Sequence, residues 1–182
     1  PPLDAAGRVR VYSRDQGGAD NWGLVETFSP TGSLAEADAH YGEGLAFGRE
    51  GFLFLGYPKN DVTLPAVTDA GSVGAYQLQS GTWTETALPA PSQNSTDWGA
   101  AVAVSGTMVL VGAPRSDGPA GVDAGWAFLF RDGVLLKSIL PPNQQAGERF
   151  GAAVALDGDR AVVGSPLRWG TLNSILYADL GA

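Results

Sequence analysis

The chain has 182 residues, a formal net charge of -8 and no cysteine. The negative charge argues against binding to nucleic acids or to anionic membranes, because their phosphates would be repelled. The lack of Cys excludes disulfides, thiolate zinc sites and thiol catalysis. No apolar run reaches the roughly 18 residues of a membrane-spanning helix. The 26 glycines and 12 prolines are typical of many short strands joined by tight turns.

Three sequence markers recur along the chain in a constant order. Each unit opens with an aromatic residue followed by Gly and continues to a Gly-x-Pro triplet, and a third marker, "DAG" or a variant of it, stands at Asp4, Asp69 and Asp123. The repeat-defining residues are Tyr41, Gly42, Gly56, Pro58, Trp98, Gly99, Gly112, Pro114, Phe150, Gly151, Gly164 and Pro166. Such periodicity indicates a repeat architecture.

Each unit is predicted to contain four short strands. The first is small and apolar ("EGLAF", "AAVAV", "AAVAL"), and the second is a nearly continuous apolar run ("GFLFLG", "TMVLVG", "RAVVG") that we expect to be buried on both faces. The third ("GRVRVYS", "GSVGAYQ", "GWAFLFR") alternates in part, and the fourth ("GLVETF", "TWTETAL", "VLLKSIL") is bounded by turn residues. No segment has a sustained helical period, so the fold class is all-β.

Four-stranded units repeated every 40–50 residues or so are typical of β-propeller blades. We therefore predict a single repeat domain over 1–182, with complete blades at 41–97 and 98–149. A partial blade with the third and fourth strands covers 7–40. A second partial blade covers 150–182 with the first and second strands, followed by a short third strand in "NSILYADL".

The units resemble FG-GAP repeats, most clearly in "WGAAVAVSGTMVLVGAP" and "RFGAAVALDGDRAVVGSP". These repeats form the blades of the integrin α-subunit propeller and of many bacterial and algal extracellular proteins. The resemblance implies a propeller-type fold and an extracellular location. The first unit departs from the motif, because it has Tyr41 in place of Phe and "GYP" in place of "GAP".

Many blades of the integrin type hold Ca²⁺ between their first and second strands, and this ion needs six to eight oxygen ligands. Here the corresponding loops contain Asp only at Asp157 and Asp159, which we interpret as an Asp-Gly turn. Asp117 and Asp123 lie in a longer loop and receive the same interpretation. We expect neither a metal nor a cofactor.

Catalytic motifs are missing from the sequence, with no nucleophile elbow, phosphate-binding loop or zinc-protease signature. The single histidine, His40, precedes an aromatic-Gly pair, where a turn or packing role is expected. Trp22, Trp83 and Trp169 could form a sugar-stacking platform, but Trp22 and Trp83 hold equivalent places before the fourth strand, which favours packing. Asn94 begins an N-glycosylation pattern.

These observations favour a non-enzymatic, extracellular structural or adhesion module whose partners are other protein chains. Because the terminal blades lack strands, we expect the half-blade at one end to add strands to the half-blade of another copy, which gives a ring or a filament. Three alternatives stay open: a glycan-binding, lectin-like propeller, an accessory domain of a larger extracellular enzyme, and a piece of a longer propeller.

We predict that a chelator leaves the thermal unfolding midpoint nearly unchanged, because no loop supplies enough oxygen ligands for a Ca²⁺ that stabilises the folded state. The measurement is differential scanning calorimetry with and without EDTA, with added CaCl₂ as the reverse control. A midpoint lowered by many degrees in EDTA would show that neighbouring loops supply further ligands.

Overall fold

The computed structural model describes residues 6–30, 38–60, 62–63, 66–67, 69–90, 96–172 and 175–177. This part of the chain contains sixteen strands and one 3-10 helix, Arg49–Gly51, and it has no helix that is long and apolar enough to cross a membrane. The strands are β1 (Val9–Arg14), β2 (Trp22–Phe28), β3 (Leu45–Phe47), β4 (Phe52–Tyr57), β5 (Val62–Thr63), β6 (Ala66–Val67), β7 (Ser72–Gln79), β8 (Thr82–Ala87), β9 (Ala101–Ser105), β10 (Met108–Ala113), β11 (Trp126–Arg131), β12 (Val134–Ile139), β13 (Ala153–Asp157), β14 (Arg160–Gly164), β15 (Gly170–Leu172) and β16 (Ile175–Tyr177).

Two four-stranded antiparallel sheets form the centre of the molecule. The first sheet has the order β3-β4-β7-β8 and the second has the order β9-β10-β11-β12, so each follows the chain. Tight hairpins make this order possible: Asp132 and Gly133 between β11 and β12 have φ of 49° and 76°, as a type I′ turn requires. The predicted all-β fold with four-stranded units is confirmed, and the described residues form no closed ring.

Two-stranded sheets flank the two complete ones. On the N-terminal side β1 pairs with β2, and on the C-terminal side β13 pairs with β14. The predicted short third strand in "NSILYADL" is present as β16, but it pairs with β15 and not with β14. The two strands are separated by only two residues, so a local hairpin forms at a lower cost in loop entropy than a longer connection.

Hydrophobic cores lie between successive sheets, which therefore pack face to face. One core joins β1 and β2 to the first sheet, a second joins the first and second sheets, and a third joins the second sheet to β13 and β14. Trp98, Phe128 and Phe130 are the largest fully buried side chains of the middle core, and the ring centroids of Trp98 and Phe130 lie 6.2 Å apart. The second strands β4 and β10 are buried along nearly their whole length, as their apolar sequences predict. The same prediction is wrong for "RAVVG", because β14 is exposed or half-buried along its length.

The three sequence markers meet at each seam between sheets. Within a unit, the Gly99 amide donates a hydrogen bond to the carbonyl of Gly112 at 3.0 Å, which ties the aromatic-Gly pair to the Gly-x-Pro triplet. Across the seam, the Trp98 amide donates to the carbonyl of Ala70 in the preceding "DAG" at 3.3 Å. The same two bonds recur in the units that open at Tyr41 and Phe150. The markers are therefore the backbone contacts that join neighbouring sheets.

Glycine is required where these backbones meet. A Cβ atom on Gly56 would lie 1.9 Å from the carbonyl oxygen of Gly99, and one on Gly112 would lie 1.9 Å from that of Gly151. Gly164 holds the same place in the last unit, but the nearest atom to its Cβ would be Ala153 Cβ at 3.6 Å. The close approach thus occurs only where a following sheet is present in the described part of the chain.

We expect Gly112→Ala to lower the free energy of unfolding by about 2–4 kcal/mol, because the backbones must separate to admit the methyl group. Gly164→Ala is the matched control, and in the monomer it should change stability by less than about 1 kcal/mol because its site is open. Urea unfolding followed by Trp fluorescence measures both variants at low protein concentration. Equal losses would contradict a role for the glycine contact between sheets.

Candidate functional site

The candidate metal ligands lie in turns. Asp157 and Asp159 flank Gly158 between β13 and β14, and both are exposed. Asp117 accepts a hydrogen bond from the Asp123 amide at 3.2 Å and so closes its own loop. The described residues contain no group of three or more His, Asp or Glu side chains that could hold a metal ion. Asn94 lies outside the described residues, so its glycosylation stays a prediction.

His40 belongs to a repeated turn. Its φ is 54°, and Asp97 and Arg149, which precede the other two aromatic-Gly pairs, have φ of 59° and 55°. The His40 Nδ1 atom lies 2.8 Å from Glu43 Oε2, and both side chains are about half exposed. This geometry is that of a turn contact at the surface.

Two of the three candidate tryptophans hold equivalent positions with different surroundings. Trp22 lies opposite Arg14 in the β1–β2 pair, and Trp83 lies opposite Leu78 in the β7–β8 pair. Trp83 packs edge-on against Phe28 of the preceding sheet, with ring centroids 5.3 Å apart, whereas Trp22 is exposed. The repeated position therefore packs where a preceding sheet is present. Trp169 is also exposed.

Buried ion pairs support two of the seams. Asp97, next to Trp98, binds Lys59 at 2.5 Å and Arg115 at 3.3 Å. At the following seam the fully buried Glu148 pairs with Arg168 at 2.9 Å. In both cases a Lys or Arg side chain neutralises the carboxylate and ties its loop to a neighbouring loop at the seam. These carboxylates are therefore not available to bind a ligand.

The β13–β14 sheet exposes a strand that the complete sheets bury. Val162 on β14 is 68% exposed, whereas Leu110 at the equivalent position of β10 is 0% exposed. In the complete sheets the second strand pairs on one edge with the first strand and on the other with the third. Among the described residues β14 pairs only with β13, so its second edge is open.

The β1–β2 sheet has the third and fourth strands of a blade, and in the described part of the chain it has no first or second strand. Tyr12 on β1 is 50% exposed, whereas Phe130 at the equivalent position of β11 is 0% exposed. A register irregularity lies between Val11 and Tyr12 in the β1–β2 pair, and the β11–β12 pair has one at the equivalent place. β1 is therefore a third strand, and in the described part of the chain no second strand pairs with its free edge. We call the free edges of β14 and β1 the open edges.

A small pocket lies between the β1–β2 sheet and the first complete sheet. Its volume is about 250 Å³, and its walls include Phe28, Tyr41, Tyr76, Trp83 and Glu85. Thr27, Ser29 and Pro30 close its rim. We call this the tyrosine pocket, and the sequence analysis did not identify it.

Three buried tyrosines support the floor of the tyrosine pocket. The Tyr41 and Tyr76 hydroxyls form a hydrogen bond of 2.9 Å, and the Tyr57 ring stacks on the Tyr41 ring with centroids 5.2 Å apart. Burial raises the pKa of Tyr57 well above its ordinary value, and the negative charge of Glu85 adds to the effect. Burial also raises the pKa of Tyr76, with the hydrogen bond to Tyr41 as the next cause. All three hydroxyls are therefore held protonated.

A second hollow of about 440 Å³ lies between the two complete sheets, and we call it the inter-sheet cleft. Phe52, Phe54 and Val109 form its apolar floor. Arg49 and Asp132 stand at its rim, and both side chains are exposed. The cleft therefore combines an aromatic floor with charged groups of both signs.

We predict that stability decreases above pH 10 through the tyrosine cluster. An unfolded tyrosine ionises near pH 10, whereas the raised pKa of Tyr57 keeps the folded side chain protonated there. The unfolded state then binds fewer protons, so the free energy of unfolding falls as pH rises, by up to about 1.4 kcal/mol per pH unit for each such tyrosine. Below pH 10 this contribution is fully present.

In Tyr57→Phe the free energy of unfolding should decrease less steeply between pH 10 and 11 than in the original chain. From pH 7 to 9 the free energy of unfolding of the two proteins should change with pH in the same way. Urea unfolding at each pH measures the effect. Unchanged slopes above pH 10 would show that the Tyr57 hydroxyl is not held protonated in the folded state.

Comparison with known families agrees with the geometry of the sheets. A profile of the FG-GAP repeat matches residues 83–130 and 135–174. The first match runs from β8 through most of β11, and the second runs from β12 past β15. A search of curated proteins finds no sequence match to the chain. The chain therefore contains FG-GAP repeats at these residues, and its four-stranded antiparallel sheets have the form of β-propeller blades.

Proposed function

We propose that this chain is a non-enzymatic extracellular adhesion or structural module that associates through its open edges. The observation that supports the proposal most directly is the complementary deficit of the two flanking sheets. β13 and β14 are a first and a second strand, whereas β1 and β2 are a third and a fourth. Together they make one complete blade, and an apolar edge that is left unpaired favours association.

The complete sheets define how the two edges would pair. Leu110 lies opposite Leu129 in the second sheet, and Phe54 lies opposite Ala75 in the first. At the equivalent positions, Val162 of one chain would lie opposite Val11 of another. Val162 is 68% exposed and Tyr12 is 50% exposed in the single chain. The pairing would bury both side chains as fully as Leu110 and Phe130, their equivalents in the complete sheets. Strand addition of this kind is a common mode of protein recognition.

The partner that we propose is a second copy of the chain. Each copy has two complete sheets and the two halves of a third. Two copies that exchange halves would contain about six blades, within the four to eight of known propellers. Both junctions would be the same contact, as closed symmetry requires. The proposed assembly is thus a closed dimer of twice the 18.8 kDa chain mass.

Engineered cysteines test the register, because the natural chain contains none. Val162→Cys and Val11→Cys variants, mixed and oxidised, should form a disulfide-linked dimer, since directly opposed residues of antiparallel strands lie within disulfide distance. Val162→Cys mixed with Ser13→Cys is the control, because that pair is displaced diagonally beyond disulfide reach. Non-reducing electrophoresis measures the yield. Equal yields in the two mixtures would contradict the register.

The Gly164→Ala variant separates assembly from folding. In the monomer its site is open, but in the proposed dimer Gly164 takes the place that Gly56 has against the following sheet, where a Cβ would clash with backbone. We expect this variant to fold normally and to sediment as a monomer. Light scattering that shows a monomer for the original chain at all concentrations would overturn self-assembly.

A glycan-binding module is the second candidate, supported by the inter-sheet cleft. An aromatic floor with polar groups at its rim is a usual arrangement for sugar recognition. Specific binding on a glycan array that is lost in Phe52→Ala and kept in Gly164→Ala would favour this candidate over assembly.

A further inference from the structure

We propose that the tyrosine pocket binds a small organic cation, a protonated or methylated amine, between the aromatic walls and the carboxylate of Glu85. This inference concerns a different surface from the open edges and does not depend on the assembly of the chain. It is based on the walls of the pocket, on the state of its hydroxyls and on a comparison between the repeats.

The walls of the pocket supply the groups that bind such a cation. Trp83, Tyr41, Tyr76 and Phe28 place four aromatic rings around a space of about 250 Å³, and Glu85 is the acidic group of the lining. Aromatic faces attract ammonium groups, and Trp does so most strongly. The lining within the described residues includes no Lys or Arg that would neutralise the Glu85 carboxylate.

The hydroxyls of the floor make a neutral polyol a poorer fit. Tyr41 and Tyr76 bond to each other at 2.9 Å, so the donor in this bond is already used. A sugar needs both donors and acceptors in fixed positions, whereas a methylated ammonium needs only ring faces and a negative charge. The pocket supplies aromatic rings and the carboxylate of Glu85. The chain's net charge of -8 adds a favourable long-range field for cations.

The other repeats show that the fold does not need these polar groups. The residue opposite the third-strand aromatic is Glu85 in the first sheet, but it is Leu135 in the second sheet and Leu24 in the β1–β2 sheet. The blade therefore forms with an apolar residue at this position in the other units. In the first sheet the Glu85 carboxylate accepts hydrogen bonds from the buried Tyr57 and Tyr76 hydroxyls, which hold a negative charge beside the pocket.

The tyrosines of the pocket show the same contrast. Tyr57 in the first sheet corresponds to Ala113 in the second, and the space for the Tyr57 hydroxyl exists because Gly74 stands where the second sheet has Phe128. A Cβ on Gly74 would lie 2.6 Å from that hydroxyl oxygen. The first sheet thus has a large residue, Tyr57, where the second has a small one, and a small residue, Gly74, where the second has a large one. As a result the Tyr57 hydroxyl lies beneath the pocket, next to Glu85.

The test is a titration of the 182-residue chain with choline chloride, followed by calorimetry and by the indole NMR signal of Trp83. We expect saturable binding in the millimolar range or tighter and a shift of the Trp83 signal. The neutral isostere 3,3-dimethylbutan-1-ol is the ligand control, because it has the same shape without the charge. Its binding should be at least about tenfold weaker.

Three variants test the role of Glu85. Glu85→Gln should weaken choline binding about tenfold, and Glu85→Leu should abolish it while the chain still folds, because Leu is the residue of the other units. Asp157→Asn removes a distant carboxylate and should leave the affinity unchanged. If choline binding is equal in the original chain and in Glu85→Leu, or equal to binding of the neutral isostere, the proposal is overturned.

Two sources of the cation are distinguished by further arms of the same experiment. A trimethyllysine peptide represents a protein side chain, and phosphatidylcholine vesicles represent a lipid headgroup. Binding of either probe that Glu85→Leu removes would support the site and identify its source. Binding of monosaccharides in place of both cations would contradict the cation site and favour a sugar.

Discussion

The close approach of glycine backbones at the two seams that follow a complete sheet is the constraint on which the rest of the structure depends. Gly56 against Gly99, and Gly112 against Gly151, bring neighbouring sheets closer than any side chain would allow. The large aromatic that precedes Gly99 and Gly151 then fills the core just beside the contact, and the hydrogen bonds to the "DAG" carbonyls fix the relative position of the sheets. Spacing, order and residue type of the three markers all follow from this one contact.

The same constraint explains why the sequence repeat and the sheet do not coincide. The FG-GAP match at 83–130 begins in β8 of the first sheet and ends in β11 of the second. One sequence repeat therefore contains the fourth strand of one sheet and three strands of the next, and it includes Gly99 of the Gly56–Gly99 contact between these sheets. A repeat that spans a seam specifies how two sheets pack, whereas a repeat equal to one sheet would leave that packing unspecified. The open edges of β1 and β14 lie in sheets that have only two strands in the described part of the chain.

Most of the strands could be predicted from the sequence because their patterns are local. The apolar runs of β4 and β10 predict buried strands, and the Asp-Gly pair after β11 predicts a tight hairpin, each from only a few residues. The pairing of β16 could not be predicted, because its alternatives, β14 and β15, differ in loop length and not in composition. The exposure of Val162 also could not be read from "RAVVG", since the same kind of run is buried when a third strand pairs with it and a following sheet packs on it.

The tyrosine pocket was missed for a different reason, although a signal for it was present. Each of its residues looks ordinary in isolation, and only alignment of the repeats with one another shows Glu85 where the other units have Leu. The units of an internal repeat can therefore be compared with one another. Residues that the fold requires recur at equivalent positions, whereas residues that a ligand requires do not need to recur. The Gly positions of the seams belong to the first group, whereas Glu85 is a position that differs between the units.

The two proposed sites share one structural element, the β1–β2 sheet. A two-stranded sheet is marginally stable by itself, and here the packing of Val9 and Phe28 on the first complete sheet holds it in place. Phe28 is a wall of the tyrosine pocket, and the free edge of β1 is an open edge. Pairing of that edge would order the sheet and its pocket wall together. A ligand in the tyrosine pocket would hold the β1–β2 sheet against the first complete sheet. The free edge of β1 would then be ordered for pairing with another strand. Where both sites are used, linkage requires each to strengthen the other, since both draw on the free energy of ordering one small sheet.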